Sequence, residues 1–126
     1  MDDLGFNLIE KEDYLHIIIK KTYDFNTFMS DLEKIKELSL KKRFNKIIID
    51  LLESDSGKWN IELLDRFDIG IKITNLFGYP DFAKIALICD KKYYDNLVED
   101  ITSKRGVYYK IFFDIKDAVK WLHTFE

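Results

Sequence analysis

Three aspartates stand at or near the ends of apolar runs. Asp50 follows Ile47-Ile48-Ile49, Asp90 follows Ile85-Ala86-Leu87-Ile88-Cys89, and Asp114 follows Phe112-Phe113. In a parallel α/β sheet the carboxyl ends of the strands form the ligand edge. Carboxylates gathered there can hold Mg²⁺ and support metal-assisted chemistry. Two of the three have a plainer task. Asp90 and Asp114 each precede a helical pattern, where an aspartate caps the helix by accepting a backbone N–H. Asp50 lacks that explanation, because Leu51 and Leu52 continue its run.

A second constellation lies between Glu53 and Asn60, a polar stretch carrying Ser54, Ser56 and Gly57. It leads into a helical pattern. A phosphate on Ser56 would there meet backbone donors and the positive end of a helix dipole; an ordinary Ser/Gly turn is the alternative. A third is aromatic. Trp59, Phe77, Tyr79 and Phe82 flank the predicted second helix, and Arg66 lies within it. Aromatic and arginine side chains in an exposed patch mark a binding surface, whereas buried ones merely fill a core. His16 and His123 lie at opposite ends of the chain, so a lone structural histidine is the reading for each and zinc lacks ligands. Cys89 has no second cysteine to pair with and sits in an apolar run, as a small buried hydrophobe does. These residues compose no catalytic set and imply no cofactor.

The elements that must position them follow from hydrophobic period. Leu4 to Glu10 alternates, with Phe6 and Leu8 on one face, and Tyr14 to Lys20 is rich in isoleucine. The short polar turn Lys11-Glu12-Asp13 between them permits only an antiparallel hairpin. Phe25 to Leu38 repeats apolar residues at helical spacing, with Asp24 or Asn26 as its cap. Phe44 to Leu52 reads as a strand covered on both faces. Ile61 to Phe77 reads as a long helix with Leu64, Phe67, Ile71 and Thr74 inward, ended by Gly78 and Pro80. A strand from Ala83 to Cys89 and a helix from Tyr93 to Ser103 follow, with Tyr94, Leu97, Val98 and Ile101 inward and Gly106 as a left-handed cap. The strand Val107 to Phe113 precedes a closing helix opened by Asp114 and Asp117, with Ile115, Ala118, Val119, Leu122 and Phe125 inward. The predicted order is β-β-α-β-α-β-α-β-α. It makes one α/β domain spanning 1–126, a mixed, mostly parallel five-stranded sheet with an antiparallel N-terminal edge strand and four helices.

Composition excludes several classes. The 126 residues are 47% hydrophobic, enough for one ordinary core without disulfides. The net charge of −3, with signs interspersed, argues against nucleic-acid binding. Lys41-Lys42-Arg43 suits a helix C-terminus instead. No apolar run approaches the roughly 20 residues of a membrane span, so no integral membrane association is expected. The acidic start Met1-Asp2-Asp3 is unlike a signal peptide, and the absence of a disulfide framework suits a reducing compartment. A cytoplasmic protein is expected.

This order resembles the STAS-like, or SpoIIAA-like, superfamily, and more narrowly its small stand-alone STAS/SEC14-like domains. The resemblance is carried by Ile47-Ile48-Ile49-Asp50, Arg66-Phe67-Asp68-Ile69-Gly70, Ile85-Ala86-Leu87-Ile88, Arg105-Gly106 and the stretch from Phe112 to Leu122. It implies a regulatory or ligand-binding domain without enzyme activity, meeting a protein partner, a second copy of itself or a small apolar ligand. Its contacts would lie around the second helix, at Trp59, Arg66, Phe77, Tyr79 and Phe82. Anti-sigma-factor antagonists of the superfamily carry a phosphoacceptor turn resembling Asp-Ser-Ser-Gly. Asp55-Ser56-Gly57 falls in the corresponding loop, one serine shorter and nearer the strand. Two other expectations stand beside the binding domain: a phosphorylation-controlled antagonist using Ser56, and a metal-assisted enzyme at Asp50, Asp90 and Asp114.

Overall fold

Backbone hydrogen bonding joins the isoleucine-rich runs into one sheet. The structure, a computed structural model, describes residues 6–20, 25–53, 63–78, 83–90 and 97–124, with side chains left aside at 63–66. The strands are β1 (Asn7–Glu10), β2 (Leu15–Ile18), β3 (Lys46–Asp50), β4 (Lys84–Ile88) and β5 (Tyr108–Phe112). The helices are α1 (Phe25–Lys42), α2 (Leu63–Phe77), α3 (Leu97–Lys104) and α4 (Ile115–Leu122). Spatial order follows chain order, β1-β2-β3-β4-β5. β1 is antiparallel to β2 and the remaining pairings are parallel. The expected fold class is therefore the observed one.

Strand residues alternate between two faces. Leu15, Ile17, Ile47, Ile49, Ile85, Leu87 and Tyr109 point to the main core, where they meet Phe28, Leu32 and Ile35 of α1, Ile69, Ile73 and Phe77 of α2 and Val98 of α3. The opposite face carries Ile48, Ala86 and Ile88, packed against Ala118 and Leu122 of α4. Phe112 and Trp121 pack at its margin, with ring centroids 5.6 Å apart.

Helix ends follow their local chemistry. Asp114 adopts extended backbone and accepts the Asp117 N–H at 2.8 Å, the expected N-cap of α4. α3 ends at Gly106 (φ 75°), with Val107 N–H bonded to Thr102 O and Gly106 N–H to Ser103 O, a paired C-terminal cap. α1 ends in the same pair of bonds, from Phe44 to Ser39 and from Arg43 to Leu40, but its left-handed residue is Arg43 (φ 62°). Asn26 lies inside α1 and is not its cap; Asp24 is outside the described residues.

The inward face of α2 differs from the expectation. Phe67 is 46% exposed, Ile71 and Thr74 are only half-buried, and Ile69, Ile73 and Phe77 fill the core. α2 is apolar on more than one side, so period alone leaves its rotation open. Gly70 settles it. A Cβ there would stand 2.8 Å from Ile101 Cγ2 of α3, so only glycine permits this approach. Ile115, expected inward in α4, is instead exposed at the first turn, while Ala118 and Leu122 are buried.

Candidate functional site

Asp50, without a task in the sequence, has one in the fold. It ends β3 on the α4 side of the sheet and is nearly buried. Its Oδ1 accepts the Leu52 N–H at 3.1 Å, and its Oδ2 lies 3.0 Å from His16 Nε2. Each side chain of the pair is 12% exposed. The pairing follows from register. β2 and β3 are parallel with His16 beside Ile48 and Ile18 beside Asp50, so positions 16, 18, 48 and 50 share a face. The lateral row continues through Ile88 of β4 to Phe112 of β5, at the carboxyl ends of the parallel strands.

The three aspartates do not act as a unit. Asp114 is committed to the α4 cap and Asp50 to His16 and Leu52. Asp90 is exposed, and residues 91–96 that follow it lie outside the described residues. Among the described residues no three of His, Cys, Asp or Glu stand close enough to hold a metal ion. Nor, among them, is any helix long and apolar enough to cross a membrane.

Of the expected contact residues, Phe77 is fully buried in the main core, so it is a packing residue and not part of an exposed surface. It lies four residues beyond Ile73 and eight beyond Ile69, on the helix face packed into the core, which explains the difference. Trp59, Tyr79 and Phe82 lie outside the described residues, as does the possible phosphoacceptor Ser56; Arg66 lies in α2 with its side chain likewise outside them. The aromatic that α2 does present is Phe67.

A second cluster ties the β1–β2 turn to the end of α4. His123 Nε2 lies 2.6 Å from Asp13 Oδ2, and its Nδ1 lies 2.9 Å from Val119 O. Lys46 Nζ is 3.7 Å from the same Asp13 oxygen. The His123 hydrogen bond, opposed by desolvation and aided by the positive charges of His123 and Lys46, holds the Asp13 carboxyl below the usual aspartate range. Lys84 closes the same end of α4. Its Nζ donates to the carbonyls of Leu122 at 3.1 Å and Thr124 at 2.6 Å, and stands 5.4 Å from the Trp121 ring centre. A cation at a helix C-terminus complements its exposed carbonyls.

The fold has a counterpart among solved structures. An uncharacterized protein of the DUF3478 family from Shewanella loihica, described as having a SpoIIAA-like fold, superposes with a TM-score of 0.54. The match covers 93% of this chain and 91% of that one, at 18% sequence identity. The fold is SpoIIAA-like. No protein-family model matches the chain, and no curated protein does. At that identity the likeness of the SpoIIAA-like neighbour reaches the fold and stops there, so function rests on this chain's own residues.

Sequence reasoning found the strand-end aspartates but not the His16–Asp50 pair, nor the Lys84 and His123 contacts. The signal for the pair was alternation. Once β2 and β3 are taken as parallel, His16 and Asp50 both fall on the face opposite the isoleucines of the main core.

Proposed function

We propose that this SpoIIAA-like domain is a non-enzymatic binding or regulatory module that engages a protein partner through the outer surface of α2. The observation that carries this reading is Phe67, 46% exposed on a helix whose other side is packed into the core. An aromatic side chain held in water at that exposure forfeits much of the roughly 1.5–3 kcal/mol that burial returns. A rigid aromatic on a helix is the type of residue that anchors protein interfaces. Asp68 beside it is exposed too, which suits a polar rim around an apolar anchor. The convex surface of a helix favours a protein over an enclosed small apolar ligand. A second copy of the chain is one form that partner takes, and the cytoplasm is the compartment in which we place it.

The test compares wild type with Phe67→Asp. Circular dichroism establishes that both fold. Native mass spectrometry then reads self-association, and affinity capture from an extract of the source cells reads other partners. A specific complex formed by wild type and lost in Phe67→Asp is the expected result. Equal complex formation by the two proteins, or none by either, removes the α2 surface from consideration.

A further inference from the structure

His16 uses one of its ring nitrogens. Nε2 faces Asp50 Oδ2 at 3.0 Å, and no described residue hydrogen-bonds Nδ1. An ionised carboxylate only accepts, so Nε2 carries the proton in the neutral ring and Nδ1 keeps its lone pair. Asp50 is itself held, because its Oδ1 takes the Leu52 N–H at 3.1 Å. The imidazole is thus braced through the carboxylate to the backbone, with an acceptor atom left over. That is costly in a side chain only 12% exposed, where a polar group normally finds a partner.

The neighbours describe what would meet it. Ile9 of β1 is the register partner of His16, and Ile18 follows two residues along β2 on the same face. Ile9 is 38% exposed and Ile18 half-buried, so an apolar surface adjoins the acceptor. The nearest fixed charge is the Asp50 carboxylate, which favours a cation and opposes an anion. Among the described residues, the side chains that α4 packs on this face are grouped around Ile48, Ala86 and Ile88, further across the sheet. Ile18 and Asp50 end their strands at the carboxyl edge, where sheets of this class bind ligands, and His16 stands two residues inside that edge.

We propose that His16 and Asp50 form a binding site for a small amine with an apolar body. The ammonium N–H donates to His16 Nδ1, its charge is balanced by Asp50, and its hydrocarbon rests on Ile9 and Ile18. His16 is the contacting residue. Asp50 is a positioning residue that also supplies the counter-charge. The site is on the opposite side of the sheet from α2, and it stands or falls independently of the Phe67 surface.

The probe is n-butylammonium chloride, with sodium butyrate as a control of equal length. Both are titrated into the labelled protein at mildly alkaline pH, where the amine is still charged. Backbone and ring ¹⁵N resonances are followed. The expected result is a saturable shift at His16, Ile18 and Leu52 with butylammonium and none with butyrate. His16→Phe should weaken the binding about tenfold or more, the worth of one hydrogen bond to a charged group. Asp50→Asn should weaken it comparably while resonances in α1 stay in place, a change that a purely structural Asp50 would not produce. If His16→Phe fails to fold, His16→Leu takes its place, since its side chain likewise carries no acceptor. No saturable shift, an equal response to butyrate, or undiminished binding by the histidine variant overturns the proposal.

Discussion

Replacing Gly70 by alanine tests how closely α2 and α3 are pressed together. In an unobstructed helix the change gains about 1 kcal/mol, because alanine is the better helix former. Here the new Cβ meets Ile101 Cγ2 at 2.8 Å, Cβ at 3.0 Å and Cδ1 at 3.2 Å. The Ile101 Cβ is fixed to its backbone, so a rotamer change relieves only part of the conflict. Forcing a methyl group into a packed site costs about 1–3 kcal/mol. The two effects oppose, and a net loss of about 0–2 kcal/mol is expected. Ile101→Ala alone removes a buried side chain and should cost about 2–5 kcal/mol. In that background Gly70→Ala loses the Cγ2 and Cδ1 contacts and keeps only the one at 3.0 Å with the Cβ that alanine retains, so its cost should shrink or change sign. The assay is urea denaturation of the four proteins in this cycle, with unchanged denaturant slopes as a check on two-state behaviour. A gain of about 1 kcal/mol from Gly70→Ala in wild type would mean that α3 does not press on α2. Additivity within about 0.5 kcal/mol would refute the contact as well. The outcome bears on function, because the Gly70 contact sets the rotation that turns Phe67 outward.

Two further outcomes follow from the termini of the helices. Arg43→Gly should stabilise by up to about 1 kcal/mol, since a left-handed non-glycine residue costs about 1–2 kcal/mol and glycine returns part of that as unfolded-chain entropy; a loss on denaturation would show that the Arg43 side chain contributes more than its backbone costs. The Asp13 carboxyl is held below its ordinary value, chiefly by the His123 hydrogen bond, so its contribution to stability is present above the ordinary aspartate range and is lost as pH falls through the lowered folded value. Wild type should therefore exceed Asp13→Asn in stability near neutral pH and converge with it in strong acid, and a gap that persists unchanged across that range would disprove the linkage.

The parts of this fold that sequence discloses are those set by local chemistry. A three-residue polar turn cannot support a crossover, so β1 and β2 must be antiparallel, and Lys11 N–H duly bonds to Tyr14 O. Asp114 and Gly106 act within a few residues of themselves, and both do what their residue types imply. Rotation is harder to read. α2 carries apolar residues around much of its circumference, and the close approach of Ile101 to Gly70 goes with Ile73, not Phe67, as the core residue. The site is harder still. His16 and Asp50 are 34 residues apart, and each looks ordinary alone: a lone histidine in a strand, and a carboxylate without a helix to cap. What joins them is the two-residue stagger between β2 and β3, a property of pairing that belongs to neither strand. Alternation narrows the search to one face but does not set the stagger. A polar residue that local structure leaves unexplained, on the less covered face of a parallel sheet, is therefore best tested against its neighbours two positions along in the adjacent strands. Asp50 was such a residue, and His16 is what that rule finds.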